Sequence, residues 1–210
     1  MPFPVVHLNG YPGIGKLTIA RKLVALLAPY NGKLVHNHLL IDPAGAVLPR
    51  SSADYQPLRQ AIRTAIFDTL ATSHDTFDSV FVFTDFQSNS DIGRGVMAEY
   101  HAMVARRGCI FIPVTVTCGK EENLRRLASS ERSLNGKLTD AELVTQFRDN
   151  SVIYQSSKEP FQMELDLTEL DADTAAGIIH QHVLEVWAEL SSKSGISNVA
   201  LESLLQTKLI

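Results

Sequence analysis

NGYPGIGKLT, residues 9–18, is the most specific motif in the sequence. Gly10, Gly15 and Lys16 fit the phosphate-binding pattern G-x-x-x-x-G-K. A short apolar run ending at Leu8 precedes the loop, and apolar residues at helical spacing follow it. This order of strand, loop and helix surrounds a polyphosphate with loop N–H groups and a helix N-terminus. The stretch therefore predicts a polyphosphate-binding loop, or P-loop.

The residues of the loop predict how it holds phosphate. Gly13 and Gly15 are expected to adopt positive φ, and Lys16 is expected to bridge the β- and γ-phosphates. Leu17 stands where many P-loops carry a hydroxyl that binds Mg²⁺, so that ligand is missing, and Thr18 is left to bond the α- or β-phosphate. The predicted nucleotide-binding residues are Gly10, Tyr11, Pro12, Gly13, Ile14, Gly15, Lys16, Leu17 and Thr18.

The pattern G-x-P-G-x-G-K-x-T over residues 10–18 resembles the adenylate kinase type of P-loop, in which glycine stands at the position of Leu17. The wider group includes shikimate and gluconate kinases and chloramphenicol phosphotransferase-like enzymes. The layout of residues 3–190 is similar to this group, but only the P-loop is specific as a motif. The resemblance implies ATP as the phosphoryl donor, with Mg²⁺ held chiefly by phosphates and water.

Strand-like and helix-like segments alternate along the chain, which predicts a three-layer α/β/α sandwich around a five-stranded, mainly parallel sheet. Asp91 is expected to cap a helix, and Pro113 is expected to cause a bulge or an interrupted ladder in the fourth strand. The expected strands lie near 3–8, 33–36, 79–86, 109–118 and 161–170, and the expected helices cover 16–28, 55–72, a segment after 91, 120–130, 140–151 and 171–190.

Residues 1–190 are expected to form one kinase-like domain, followed by a linker and short helix at 191–210. The polar segment around 129–139 resembles a helical lid that closes over phosphates. Arg132 is the preferred lid arginine and Arg126 the second choice, because a planar guanidinium can grip phosphate oxygens in pairs. The alternative for either residue is a solvated surface charge.

Asp85 ends a nearly continuous apolar strand and resembles the acidic residue that orients magnesium-bound water in adenylate kinases. The full DGFPR motif of that family is absent, because Gln87 and Ser88 follow Phe86. This departure disfavours an AMP-type acceptor.

The segment after the second strand holds the candidate acceptor site. Asp42 is either a base or orienting ligand for the acceptor hydroxyl or, with Pro43, the start of a helix. His36 and His38 share one strand face if the strand continues that far. They are candidates for substrate contact or a plain polar strand end, and a metal pair is disfavoured for lack of further ligands.

Composition limits the choice of partners. The chain has 210 residues, 45% of them apolar, and a formal net charge of −4. This balance predicts a single globular domain and disfavours nonspecific binding to nucleic acid or anionic lipid. No apolar run is long enough to span a membrane and no charged leader is present, so a soluble, cytoplasmic protein is expected. Two cysteines favour neither a disulfide framework nor a zinc site.

These observations predict an ATP-dependent phosphotransferase that acts on a hydroxyl group of a small molecule. Two alternatives stay open: an ATP-binding or ATPase regulatory module, and a kinase of nucleoside or polynucleotide 5′-hydroxyls. Asp85 is expected to contact Mg²⁺ through water. The candidate catalytic residues are Lys16, Asp42, Asp85, Arg126 and Arg132, and the candidate acceptor-binding residues are His36, His38 and Asp42.

Overall fold

The computed structural model describes residues 1–127, 141–155 and 159–193. The described part contains a five-stranded parallel sheet in the order β2-β3-β1-β4-β5, with helices on both faces, which confirms the predicted architecture. The strands are β1 (Val5–Asn9), β2 (Lys33–His36), β3 (Phe81–Asp85), β4 (Phe111–Thr117) and β5 (Met163–Asp166). The helices are α1 (Lys16–Leu26), α2 (His38–Val47), α3 (Tyr55–Thr72), α4 (Asp91–Arg107), α5 (Lys120–Leu127), α6 (Ala141–Asn150) and α7 (Ala172–Lys193).

The central strand β1 pairs with β3 on one side and with β4 on the other. All its residues are buried, as expected for a parallel strand covered on both faces. Side chains alternate between the faces, so Val6 and Leu8 join one core cluster and Val5 joins the other. Helices α1 and α7 cover the first face, and α3 and α4 cover the second.

Two local predictions are wrong. Ser90, not Asp91, caps α4, because the Ser90 hydroxyl accepts the Gly93 N–H at 3.2 Å and Asp91 is already the first helical residue. Strand β4 also runs uninterrupted through Pro113, which aligns with His7. Pairing with β5 begins only at Val114, so no ladder on that edge requires the N–H that proline lacks.

Helix α2 is absent from the sequence-based prediction. Asp42 and Pro43 lie inside this helix rather than at its start, so the N-cap interpretation of Asp42 is wrong. Burial of Leu40 and Ala44 on one side of α2 outweighs the hydrogen bond that an internal proline removes.

The structure also bears on the cysteines and on membrane spans. Cys109 and Cys118 are free thiols, and Cys118 is buried. None of the described helices combines the length and apolar character needed to cross a membrane. The predicted lid at 129–139 lies outside the described residues, as does the tail from 194 onwards.

Candidate nucleotide and acceptor site

The P-loop connects β1 to α1 at the carboxyl edge of the sheet. Gly13 and Gly15 have φ values of 95° and 106°, which confirms the expected positive φ at both positions. A Cβ atom at Gly13 would also lie 2.8 Å from the side-chain nitrogen of Asn123. The loop therefore requires glycine at Gly13 for both its conformation and its packing.

The Lys16 side chain lies back along the loop from the first turn of α1. Its Nζ donates hydrogen bonds to the carbonyl oxygens of Gly10, at 2.5 Å, and Tyr11, at 2.8 Å. These contacts hold the ammonium group beside the loop, where a bound phosphate chain would compete for the same donors.

Side chains of α5 and α6 contact the P-loop and stabilise its conformation. Asn123 donates to the Pro12 carbonyl at 3.0 Å and accepts from Arg148 at 2.9 Å. The Arg148 guanidinium also lies 4.8 Å from the centre of the Tyr11 ring, and the Tyr11 hydroxyl donates to Ser151 at 2.7 Å. These contacts with α5 and α6 fix the shape of the loop.

Arg126 joins the P-loop to the segment after β5. Its guanidinium donates to the carbonyl oxygens of Ile14 at 3.0 Å, Leu167 at 2.6 Å and Leu170 at 3.2 Å. Its Nε donates to Glu122, and the hydrogen bonds from Arg125 and then from Arg126 lower the pKa of Glu122 to about 2. Most donors of Arg126 are therefore already engaged within the protein.

Asp85 ends β3 beside the P-loop and is 5% exposed. Its carboxylate lies 2.6 Å from Nε2 of His7 and accepts a hydrogen bond from the Gln87 amide at 2.8 Å. Burial alone would raise the pKa of Asp85, but His7, Gln87 and the nearby Lys16 hold it below its ordinary value. Asp85 is therefore an ionised carboxylate at neutral pH.

A cavity of about 700 Å³, called here the main cavity, connects the P-loop with the segment after β2 and the start of α3. A second cavity of about 830 Å³ shares four lining residues with it, Arg125, Arg126, Leu170 and Asp171. The described residues contain no group of three or more His, Cys, Asp or Glu side chains placed to hold a metal ion. The main cavity thus joins a phosphate-binding loop to a second compartment large enough for a small molecule.

The predicted nucleotide-binding residues divide into two sets. Tyr11 and Ile14 shape the loop from behind, and Gly10 packs so closely on β4 that a Cβ atom there would lie 2.5 Å from the Val116 carbonyl oxygen. The residues of the loop that line the main cavity are Pro12, Gly13, Gly15, Lys16, Leu17 and Thr18. Arg132 lies outside the described residues.

The predicted acceptor residues are only partly brought together. His36 and His38 both line the main cavity, with ring centres 6.1 Å apart. Asp42 does not line it, because its carboxylate lies one helical turn further along α2. Asp42 instead contacts Nδ1 of His38 at 3.0 Å.

Sequence reasoning left two groups of residues without an assigned role. His7 sits in an apolar strand run, and nothing local signals that it will meet Asp85, which is 78 residues away. Arg59, Arg63 and Arg94 are possible acceptor-pocket residues on the sequence alone, but arginines on amphipathic helices are usually surface charges, so none of the three is singled out by sequence reasoning. The lining residues from this side of the main cavity are Arg50, Tyr55, Gln56 and Arg59.

No protein-family model matches the chain, and no curated protein matches it in sequence. Solved structures do match, and they define the fold as that of the P-loop kinases. At sequence identities below 25%, this likeness establishes the architecture.

Three of these structures are kinases of small molecules. APS kinase from Mycobacterium tuberculosis, solved with AMPPNP and APS, is 19% identical over 87% of this chain and 98% of its own, with a TM-score of 0.58. Shikimate kinase from Acinetobacter baumannii, solved with shikimate, is 19% identical over 87% and 94%, with a TM-score of 0.54. A gluconokinase from Sinorhizobium meliloti is 14% identical over 94% and 98%, with a TM-score of 0.54.

Proposed function

We propose that this protein is an ATP-dependent phosphotransferase that acts on a hydroxyl group of a small molecule, with Mg²⁺ as cofactor. The observation that carries the proposal is that one cavity is lined by the P-loop lysine, the strand-end carboxylate of Asp85 and the ring of His38. The kinase fold supports it, since APS kinase and shikimate kinase were solved with small-molecule ligands.

The donor set of the P-loop fits a polyphosphate. Lys16 and the N-terminus of α1 supply positive charge at one end of the main cavity, and the loop already has its glycines at positive φ. Bound Mg-ATP supplies an electrophilic γ-phosphoryl group. Lys16 then leaves its loop carbonyls and contacts the β- and γ-phosphate oxygens, where it offsets the negative charge that builds up during transfer.

Asp85 is the residue proposed to contact Mg²⁺ through water. It lies at the carboxyl end of β3, lines the main cavity and is ionised, as this role requires. Its partners His7 and Gln87 fix the carboxylate in place, so it need not reorganise when the cation binds.

His38 is the residue proposed to accept the proton of the acceptor hydroxyl, with Asp42 as its orienting partner. A carboxylate can only accept a hydrogen bond, so Nδ1 of His38 is the donor in the contact with Asp42. In a neutral imidazole this leaves Nε2 as the proton acceptor. As the acceptor oxygen bonds to phosphorus and the bond to the ADP oxygen breaks, the hydroxyl proton passes to Nε2.

Acceptor-dependent release of ADP tests the proposal. The protein is incubated with Mg-ATP, with and without a mixture of hydroxylated metabolites. We expect ADP release only with the mixture, together with a product that has gained one phosphoryl group. ADP release without any acceptor would favour an ATPase, and nucleotide binding without turnover would favour a regulatory module. Arg132 and the lid at 129–139 remain predictions from the sequence.

A further inference from the structure

Arg59 is a half-buried arginine without a counter-ion among the described residues. It lies on α3, where its guanidinium is 5.8 Å from the centre of the buried Tyr55 ring and donates to the Gln56 side chain at 3.2 Å. Its Nε atom is buried and has no hydrogen-bond partner in the described part of the chain. A guanidinium without a paired carboxylate in such a place is costly, because burial removes water from a charge that no direct ion pair offsets.

Arg63, one helical turn further along α3, is an arginine of the same helix whose charge is paired with a carboxylate. Its guanidinium donates to both carboxylate oxygens of Glu99, at 2.6 and 2.9 Å. Arg59 has no such pair. Burial is the main cause that lowers the pKa of Arg59, and the positive charges of Arg63 and Arg50 add to it, while Tyr55 and the more distant carboxylate of Asp85 offset it only in part. Three guanidinium groups therefore share this region, with one carboxylate paired to them.

The carboxylates that line the main cavity do not form ion pairs with Arg59 or Arg50. Only Asp85 and Asp171 line it among the described residues. Asp85 is engaged by His7 and Gln87, and Asp171 accepts the Thr174 N–H at 2.7 Å. Arg50, like Arg59, lines the main cavity and forms no ion pair with a described residue.

We infer that the acceptor carries an oxyanion, either a phosphate or a carboxylate group, in addition to its reacting hydroxyl, and that Arg59 and Arg50 bind that oxyanion. This inference rests on the proposed function and names the substrate class of the same site. A planar guanidinium offers paired donors that match the oxygens of either group. A site built around such donors rejects a neutral analogue strongly, because the arginines are then left unpaired.

Anion binding to the nucleotide-loaded protein tests the inference without any turnover. The full chain is saturated with Mg-AMPPNP, which occupies the P-loop, and orthophosphate or acetate is then titrated against a chloride control of equal ionic strength, with melting temperature and calorimetry as readouts. We expect saturable binding of at least one anion. Arg59→Gln and Arg50→Gln should each weaken it at least tenfold, and Arg94→Gln, an exposed arginine of α4, should leave it unchanged.

Three results would overturn the inference. They are no saturation beyond the chloride control, unchanged anion affinity in both variants, and loss of anion binding when AMPPNP is present, which would assign the arginines to the nucleotide. Because the two variants are independent, failure of one to fold leaves the other to decide. Absence of AMPPNP binding would contradict the proposed function itself. It would be seen when the chain is first titrated with Mg-AMPPNP, before any anion is added.

A panel of matched acceptors then distinguishes the two anion sources. Each pair differs only in charge: a nucleoside and its monophosphate, a sugar and its phosphate, or a sugar alcohol and the corresponding acid. We expect phosphoryl transfer to the charged member of each pair alone. The pairs with the highest rate show whether the site binds a phosphate or a carboxylate group. Transfer to neutral members at equal rates would overturn the inference and leave the kinase assignment intact.

Discussion

His7 Nε2 lies 2.6 Å from Oδ1 of Asp85, and both side chains are almost fully buried. The parallel pairing of β1 with β3 explains the contact, because it aligns Asn9 with Asp85 and places His7 two residues earlier on the same face. The Tyr100 hydroxyl adds a longer contact to Asp85 at 3.4 Å. The fold thus fixes an ionised carboxylate beside the P-loop.

Removing the His7 ring should change the pH dependence of catalysis. In His7→Leu the burial of Asp85 is no longer offset by its main partner, so its pKa should rise. We expect the acidic limb of kcat to move to higher pH. The measurement is a pH–rate profile with Mg-ATP and an identified acceptor, with His74→Asn, which alters an exposed histidine, as control. An unchanged acidic limb would show that His7 does not control the ionisation of Asp85 during catalysis.

Asp85 should also contribute to stability in a pH-dependent way. Its pKa is lower in the folded chain than the ordinary value of 3.8, so the unfolded chain binds the proton first as the pH falls. The stabilisation is complete above this value and is lost as the pH falls below it. The free energy of unfolding in urea, measured from pH 7 to pH 3 for the wild type and Asp85→Asn, should show a difference that narrows at the acidic end. A constant difference would contradict the lowered pKa.

Arg126 should stabilise the P-loop, whereas its neighbour Arg125 should not. Arg126→Ala leaves the carbonyl oxygens of Ile14 and Leu167 without their donor, which should cost about 2–3 kcal/mol of unfolding free energy and weaken ATP binding. Arg125 is exposed and donates only to Glu122, so Arg125→Ala should change the free energy of unfolding far less than Arg126→Ala. Urea unfolding compares the two variants. Equal losses in both would show that Arg126 does not anchor the loop.

The His38–Asp42 pair should affect transfer more than nucleotide binding. His38→Gln removes the proposed proton acceptor and should slow kcat by about a hundredfold. In Asp42→Asn the amide can still hydrogen-bond to the His38 ring, but it no longer selects one tautomer of that ring. We therefore expect kcat to fall by about tenfold. ATP affinity measured by calorimetry should stay near the wild-type value in both. A normal rate in His38→Gln would exclude His38 as the base.

Local sequence signals predicted much of the fold. The strand at 33–36 and the helix at 55–72 were predicted with the bounds that the structure shows, because their apolar spacing is regular and their ends are marked by turn residues. Helix α2 was missed since it is short and contains Pro43, so its burial against α3 decides its conformation. The start of α4 shifted by one residue because Ser90 and Asp91 are both good caps.

The candidate site was predictable only where its chemistry lies in one continuous motif. The P-loop is such a motif, and both predicted glycine conformations are confirmed. The role of Arg126 depends on carbonyl oxygens more than 40 residues away in sequence, and that of Asp85 depends on His7. Contacts of this kind arise from strand order, which no local pattern encodes.

Calorimetry with Mg-ATP tests whether the P-loop holds the phosphates of ATP beside Lys16, as proposed here. We expect one binding site per chain in the wild type. In Lys16→Ala the affinity should be at least tenfold weaker, while the melting temperature without ligand should stay within a few degrees of the wild-type value. Absence of heat in the wild type, or equal affinity in a folded Lys16→Ala, would contradict this proposal.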